Sequence, residues 1–266
     1  MKKTLIEIYK LFFLRPGARK FNQFVLQCAA HGLGILNYRD MRDSGEEYLL
    51  AKYLPRALSP EGNHTLFDVG ANVGSYSRAL RANFPSASIH AFEPHPLTFS
   101  KLVEESKDSR LNCVNMGLSD EPAESVIYEK AEGGSSTHNS LYRDVFKKNT
   151  SEGKINSKKI ILTSIDEYAK ANGIDQIDLL KVDTEGHEFS ILKGAKRMLQ
   201  EKRIRIIQLE FNEMNLYSHT TMRDIRDMLP SFDFYRLSPR GLIALPDLIL
   251  YQEIYQFQNI LCVANK

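Results

Sequence analysis

Apolar and polar positions along this chain fall into two alternating patterns. Short runs rich in apolar residues, typical of buried strands, lie at residues 66–69, 87–92, 111–116, 177–182 and 205–210. Helical spacing of apolar residues is found between them, at residues 75–84, 96–107, 164–169, 189–199 and 221–229. Because strands that alternate with helices form parallel sheets covered on both faces, the pattern predicts a mostly parallel, doubly wound α/β sheet. Residues 232–237 and 259–263 supply candidate final strands.

The first 58 residues follow a different, helical pattern. Apolar residues at positions 5, 8, 9 and 12 have helical spacing, and the pattern continues over residues 19–38 with glycine breaks at 32 and 34. Residues 44–47, Ser-Gly-Glu-Glu, have the sequence of a capping box that begins a further helix. We therefore predict a helical N-terminal extension over residues 1–58 and one main domain over residues 59–266.

The first 20 residues are strongly basic. Six basic residues accompany a single acid, Glu7, and no apolar stretch of the chain reaches the length of a transmembrane helix. Glu7 and Lys10 also interrupt the apolar run that a signal peptide would need. Two interpretations stay open for this helix: it lies on a membrane surface, or it packs on the domain or on another chain.

Composition narrows the function only slightly. With 35 basic and 33 acidic residues, the net charge of +2 is too small to predict a nucleic acid as partner. Three widely spaced cysteines provide neither a disulfide framework nor a zinc-binding spacing. We expect a cytoplasmic protein, which would be peripheral at the membrane if its first helix binds there.

The strand at 66–69 ends at a turn marked by two glycines. Gly70 and Gly74 lack a Cβ atom, so the backbone can turn sharply and a ligand can approach the start of the next helix. Asp68 places a negative charge beside this turn, and Asn72 lies between the glycines. A pyrophosphate is disfavoured beside Asp68, whereas the amino group or sulfonium of S-adenosylmethionine is favoured. We expect these four residues to bind that cofactor.

Polar residues follow the next two strands. Glu93 lies 23 residues after Gly70, and nucleotide-binding folds place a carboxylate roughly 20 residues beyond the glycine turn to accept the ribose hydroxyls. Ser119 and Asp120 follow the third strand, where a side-chain acceptor would hold the adenine amino group. The Ser-Asp pair is also an ordinary turn sequence, and both interpretations stay open.

Ionisable residues are concentrated after the strand at 177–182. Asp183, Glu185, His187 and Glu188 lie within six residues, although the helix dipole alone would account for Glu185 or Glu188. Because a hydroxyl is a poor nucleophile at neutral pH, a reaction at such an oxygen requires a base. Asp183 and His187 are the candidate bases, since a histidine with a pKa near 6.5 is largely neutral at pH 7. Glu185 is the third candidate catalytic residue.

A divalent metal is a less favoured alternative to a base. Asp183, Glu210 and Asn212 follow the fourth and fifth strands, and oxygen ligands there would hold Mg²⁺ against the acceptor oxygen.

A long polar segment, residues 132–153, separates two predicted hairpin strands at 125–131 and 159–162. Insertions of this kind in compact domains are usually functional or disordered, so the segment is a candidate for acceptor recognition or a solvated loop.

These stretches resemble the FkbM-type methyltransferases, which are S-adenosylmethionine-dependent enzymes. The matching sequences are Ser-Gly-Glu at 44–46, Phe-Asp-Val-Gly-Ala-Asn-Val-Gly at 67–74, Phe-Glu-Pro at 92–94, Gly-Leu-Ser-Asp at 117–120, Leu-Lys-Val-Asp-Thr-Glu-Gly-His-Glu at 180–188 and Leu-Glu-Phe at 209–211. The resemblance implies a Rossmann-like methyltransferase fold and, usually, methyl transfer to a hydroxyl of a sugar, glycan or natural product. Neither follows from composition or spacing. The first 40 and last 50 residues lie outside these motifs.

Three other functions are considered. A nucleic-acid methyltransferase is disfavoured, because the fourth strand ends in Asp-Thr-Glu-Gly and not in the Asn/Asp-Pro-Pro-aromatic sequence that holds a flipped base. A NAD(P)-dependent Rossmann oxidoreductase would share the fold and Glu93, but the dinucleotide fingerprint has glycines at its first, third and sixth positions, and here the first and fifth are filled. A non-catalytic interaction module on the same fold predicts no binding of the methyl donor.

Overall fold

The computed structural model describes residues 2–106, 111–130, 140–142 and 155–265. Its strands are β1 (Thr65–Val69), β2 (Ser88–Phe92), β3 (Leu111–Val114), β4 (Gly117–Leu118), β5 (Ala123–Lys130), β6 (Ile155–Thr163), β7 (Ile177–Val182), β8 (Ile204–Phe211), β9 (Phe232–Ser238), β10 (Gly241–Ala244) and β11 (Gln258–Ala264). Its α-helices are α1 (Lys2–Phe13), α2 (Arg19–Gly32), α3 (Glu46–Tyr48), α4 (Leu54–Ala57), α5 (Ser75–Asn83), α6 (Pro96–Glu105), α7 (Ile165–Ala171), α8 (Glu188–Lys193), α9 (Lys196–Gln200), α10 (Met222–Met228) and α11 (Ile249–Gln252). Short 3-10 turns lie at Pro16–Ala18 and Glu213–Leu216, and a π-helical turn lies at Leu49–Tyr53.

The larger sheet has eight strands among the described residues, in the order β10-β9-β11-β8-β7-β1-β2-β3. The neighbours from β3 to β8 are parallel, whereas β11 runs antiparallel to both β8 and β9. This arrangement confirms the predicted mostly parallel, doubly wound sheet. The strand order reverses between β1 and β7, and open α/β sheets bind ligands at the carboxyl ends of their strands at such a point.

A smaller sheet of β4, β6 and β5 lies beside the first. The antiparallel pairing of β5 with β6 matches the hairpin predicted around residues 125–131 and 159–162, and β4 joins β6 in parallel. The predicted recognition segment, residues 132–153, lies outside the described residues except for 140–142, where Ser140 pairs with Tyr128.

Two local predictions were wrong in detail. The capping box at 44–47 does not form: Gly45, in the left-handed conformation, precedes α3, and the Ser44 hydroxyl donates a hydrogen bond to the Glu46 carboxylate. The helix predicted over 189–199 is divided into α8 and α9. The Asp166 carboxylate accepts the backbone N–H groups of Arg197 and Met198, so it caps a second helix start there.

Apolar side chains fill both faces of the larger sheet. Paired positions on β1, β7 and β8 alternate between two hydrophobic cores, with Leu66, Leu179 and Ile206 in one and Phe67, Leu180 and Ile207 in the other. The strands are therefore covered on both sides, which explains why their sequences are almost continuously apolar.

The predicted N-terminal extension consists of two parts with different packing. Leu49, Leu50, Leu54 and Leu58 are buried in the core that contains Leu66, so this part of the chain stabilises the sheet. In contrast, α2 has no buried residue. The domain boundary at residue 58 stays a prediction.

Candidate active site

The carboxyl ends of β1, β2, β7 and β8 border a cavity of about 840 Å³. The smaller sheet supplies apolar lining residues, which are Leu118, Ile127, Ile160 and Leu162. The acidic lining residues are Glu46, Glu93, Asp183, Glu185, Glu210 and Glu213. In the part of the chain that the structure describes, Lys181 is the only lysine or arginine of the lining, so the cavity favours a ligand that carries positive charge.

The glycine turn after β1 fits closely against the loop after β7. Gly70 has a φ of +79°, and a Cβ atom at this position would lie 1.9 Å from the Asp183 carbonyl oxygen. The N–H groups of Gly70 and Ala71 both donate to the Phe92 carbonyl. Only glycine satisfies the conformation and the spacing together, and the turn leaves Gly70 and Asn72 on the cavity wall. Gly74 precedes α5 and does not line the cavity.

Glu93 lies on the cavity wall directly after β2. Its Oε2 accepts the Asn72 N–H at 3.0 Å and its Oε1 accepts the His95 N–H at 2.9 Å. Burial raises the pKa of Glu93 to about 7. Each carboxylate oxygen has a second lone pair, so the group can hold the turn and still accept a ligand hydroxyl.

Asp68 lies beneath the cavity and does not line it, which differs from the cofactor contact predicted for it. Its side chain is fully buried, and Oδ2 accepts the Ser77 hydroxyl at 2.6 Å. Oδ1 lies 3.3 Å from the Lys181 ammonium. The negative charge of Asp68 is therefore balanced inside the protein.

Lys181 is the central cation of the site, and the sequence reasoning did not single it out. Its ammonium lies 3.3 Å from Asp68 and 3.2 Å from Asp183. It also lies over the Tyr76 ring, 4.9 Å from the centroid. Burial lowers the pKa of Lys181, but Asp183, Asp68 and Glu46 together raise it above the ordinary value. The sequence signal that could have identified it is a lysine within the mostly apolar run at 177–182, and the structure buries this strand at all six positions.

A hydrogen-bonded chain connects the N-terminal extension with the site. The Tyr76 hydroxyl donates to Gln208 Oε1 at 2.5 Å, and Gln208 Nε2 donates to Glu46 Oε1 at 3.0 Å. Burial raises the pKa of Glu46. Glu46 thus belongs to the cavity lining, although α3 is remote from β8 in sequence.

The loop after β7 is held by Glu188, whose Oε1 accepts the N–H groups of Thr184 and Gly186. Its Oε2 accepts from Asn215 Nδ2, and burial raises the pKa of Glu188 to about 7. Glu188 is fully buried and shapes the loop, which places Asp183 and Glu185 on the cavity lining.

His187 lines the cavity, and both of its ring nitrogens have hydrogen-bond partners. Nδ1 lies 3.1 Å from the Tyr142 hydroxyl and Nε2 lies 3.0 Å from the Ser119 hydroxyl. Burial lowers the pKa of His187 to about 4, so the imidazole is neutral at pH 7. Ser119 also donates to Asp120 at 2.8 Å. Neither Ser119 nor Asp120 lines the cavity, so the structure does not bring them to the position expected for an adenine contact.

Glu210 and Asn212, the other members of the metal alternative, line the cavity with Asp183. Asn212 Nδ2 donates to Glu210 Oε1, and Asn212 Oδ1 accepts the Met214 N–H at 2.7 Å. Burial, with the charge of Asp183, raises the pKa of Glu210 well above its ordinary value. Among the described residues, no group of three or more His, Cys, Asp or Glu side chains is arranged to hold a metal ion. Asn212 thus contacts both Glu210 and the Met214 backbone, and the metal alternative stays a less favoured prediction.

Comparison with known protein families matches most of the domain to one family. The family model of the methyltransferase FkbM domain matches residues 68–235, which is more than half of the chain. The matched region begins at Asp68 and includes Glu93, Lys181 and Asp183.

Named relatives cover a similar part of the chain. Hexuronic acid methyltransferase AglP of Haloferax volcanii is 29% identical over 177 residues, which cover 66% of this chain and 66% of that protein. 2-O-methyltransferase NoeI of Sinorhizobium fredii is 26% identical over 188 residues, which cover 66% of this chain and 75% of that protein. Among solved structures, the plantazolicin methyltransferase BpumL in complex with SAH has a TM-score of 0.45 and 10% identity, over 97% of this chain and 93% of that chain.

Proposed function

The chain belongs to the methyltransferase FkbM domain family, and we propose that it transfers the methyl group of S-adenosylmethionine to a hydroxyl of a sugar, glycan or natural product. The observation that carries the proposal is the cavity where the strand order reverses, with the Gly70 turn on one side and a set of carboxylates on the other. The name of one relative, a hexuronic acid methyltransferase, supports a sugar acceptor, and that of another, a 2-O-methyltransferase, supports transfer to an oxygen.

The cavity has the chemistry that this cofactor requires. Apolar lining residues such as Leu118 and Ile160 would contact the adenine ring, and Glu93, which also lines the cavity, would accept the ribose hydroxyls. The acidic lining favours the ammonium and sulfonium charges. Asp68 contributes indirectly, since it fixes Lys181 and does not touch the cavity.

Bound S-adenosylmethionine would supply a methyl group on a sulfonium sulfur, for in-line displacement by the acceptor oxygen. The main task of the protein is alignment, which supplies on the order of 7–11 kcal/mol in favourable intramolecular reactions. Asp183 is the base that we favour, because its carboxylate lines the cavity and the ion pair with Lys181 fixes its position. It would take the proton of the acceptor hydroxyl as the new carbon–oxygen bond forms.

His187 is better suited to positioning than to proton transfer. Burial lowers its pKa to about 4, so the ring is neutral at pH 7, and the Tyr142 and Ser119 hydroxyls occupy both ring nitrogens. Asp183→Asn should lower kcat by 10²–10⁴-fold. His187→Gln should lower it less and should mainly raise the KM for the acceptor. Equal loss of kcat in the two variants would contradict this division of roles.

Titration calorimetry with S-adenosylmethionine, its demethylated product and NAD tests the cofactor. We expect binding of the first two and none of NAD. Binding of NAD alone would favour the oxidoreductase alternative, and no binding of any of the three would favour the interaction module.

Mass spectrometry of cell-surface glycans and secreted metabolites, with and without the gene, should then show the loss of one methyl group from the acceptor. Activity with that acceptor should survive EDTA.

A further inference from the structure

The pair of helices α1 and α2, residues 2–32, exposes apolar side chains at regular helical positions. On α1 these are Leu5, Ile8, Tyr9 and Phe12, and on α2 they are Phe21, Phe24, Val25 and Cys28. Both sets have the i, i+3, i+4, i+7 spacing of an amphipathic helix that buries one face. Here both faces are open, with Phe12 56% and Phe24 62% exposed.

The two helices are connected to each other but barely to the domain. The Tyr9 hydroxyl donates to Asn22 Oδ1 at 2.5 Å, and the Phe13 and Phe21 rings stack with centroids 4.8 Å apart. Between residues 3 and 29, Ala18 is the one buried residue. The apolar faces therefore need a partner that the described part of the chain does not supply.

Charge indicates what this partner is. Residues 1–32 contain six basic residues and one acid, a net charge of +5, whereas the whole chain carries +2, which leaves −3 for the remainder. Lys3, Lys10, Arg15, Arg19 and Lys20 are all exposed. Exposed apolar faces accompanied by positive charge fit an anionic lipid surface, where lysine and arginine contact headgroups and the apolar side chains enter the acyl boundary.

Length excludes a spanning arrangement for these helices. Within the described residues, no helix is both long enough and apolar enough to cross a membrane. We propose that residues 2–32 bind flat on the surface of an anionic lipid bilayer. Leu36 and Tyr38, which follow α2 closely, line the cavity. Binding would therefore hold the mouth of the cavity near the membrane surface.

Co-sedimentation of the full chain with vesicles tests this proposal without any assay of methyl transfer. The vesicles contain either phosphatidylcholine alone or equal parts of phosphatidylcholine and phosphatidylglycerol. We expect binding to the mixed vesicles only, and weaker binding at 1 M salt, where the Debye length is about 3 Å.

Paired variants separate the apolar and the electrostatic contributions. Phe12→Ser with Phe24→Ser should weaken vesicle binding at least tenfold, whereas the control Ile249→Ser with Leu250→Ser changes two residues that are 72% and 75% exposed elsewhere and should have no effect. Lys3→Glu with Arg19→Glu should also weaken binding, with Lys170→Glu and Arg240→Glu as the control pair. All substituted residues are exposed, so the fold should persist.

Three outcomes would overturn the proposal. The first is equal sedimentation with both vesicle types, and the second is binding that the control pairs reduce as strongly as the test pairs. The third is a dimer in light scattering that Phe12→Ser with Phe24→Ser converts to a monomer, with no vesicle binding by either protein. That result would show that a second copy of the chain covers the apolar faces.

Discussion

At the scale of single residues, Lys181 supplies the positive charge that offsets the carboxylates of Asp68 and Asp183. Asp68 is fully buried and Lys181 is its cationic partner at 3.3 Å. Lys181→Met should therefore destabilise the fold by about 3–5 kcal/mol, because it leaves a buried charge unpaired. Urea unfolding followed by circular dichroism measures the effect.

The control for this prediction is Lys193→Met. Lys193 is partly exposed, and its ammonium lies 3.9 Å from Asp120. Its loss should cost less than about 1 kcal/mol. If the two variants unfold at the same urea concentration, Lys181 does not have the role assigned to it.

Glu93 should make cofactor binding depend on pH. Burial raises the pKa of Glu93 to about 7, so the carboxylate is mostly protonated below this pH and mostly ionised above it. The ionised form is the better acceptor for ribose hydroxyls, so affinity for S-adenosylmethionine should rise as pH increases from 6 to 7.5. Glu93→Gln should weaken binding by roughly tenfold or more and remove most of this rise. Calorimetry across the range would contradict the assignment if the variant kept the wild-type profile.

At the scale of elements, the contact between the loops after β1 and β7 is the tightest part of the site. Gly70→Ala would place a Cβ atom 1.9 Å from the Asp183 carbonyl oxygen, so the two loops would have to separate. We expect loss of S-adenosylmethionine binding together with reduced thermal stability.

Gly173→Ala is the matched control for Gly70→Ala. Gly173 also has a positive φ, +64°, but nothing lies within 4 Å of its Cβ position. This variant should show only the conformational cost of about 1–2 kcal/mol, with unchanged cofactor binding. Equal loss of binding in both would mean that backbone strain alone, and not the loop contact, disrupts the site.

The loops after β7 and β8 give the cavity an acidic rim that should select the acceptor. Asp183, Glu185 and Glu213 line the cavity. Lys181, which is the single lysine among the described lining residues, forms ion pairs with Asp68 and Asp183. An acceptor carboxylate would be repelled there, so a neutral hexoside should have a kcat/KM roughly tenfold above that of the matching uronoside. Glu213→Gln should narrow the difference. Faster turnover of the uronoside would show that the acceptor does not approach this rim.

At the scale of the whole molecule, we expect the sheet with its two cores to fold without the exposed helices α1 and α2. A chain that begins at Ala30 retains the buried leucines of residues 49–58 and every lining residue of the cavity. It should keep its melting temperature to within about 2 °C and its affinity for S-adenosylmethionine, since removing exposed residues costs little. It should no longer bind anionic vesicles. A broadened or absent thermal transition would show that α1 and α2 stabilise the domain.

Local patterns along the chain were sufficient to predict the fold class and the family. The apolar runs of the strands and the two glycines of the turn at 70–74 are properties of short stretches of sequence, so they can be recognised without the fold. The expected family is confirmed by the match over residues 68–235. The sequence also predicted that Glu93 and Asp183 lie at the ligand-binding edge of the sheet, because each follows a parallel strand, and both line the cavity. Their roles stay predictions.

Which of these residues reach the cavity could not be predicted from local patterns. The charge of Asp68 is balanced by Lys181, and Asp68 lies beneath the cavity. Ser119 forms a hydrogen bond with His187, and Glu46 joins the cavity lining from a helix that is remote in sequence. These outcomes depend on packing between segments that are distant in sequence, since burial and ion pairing arise only when the segments meet. The same reason explains why helical spacing revealed amphipathic faces in α1 and α2, while only the folded structure showed that nothing in the described chain covers them.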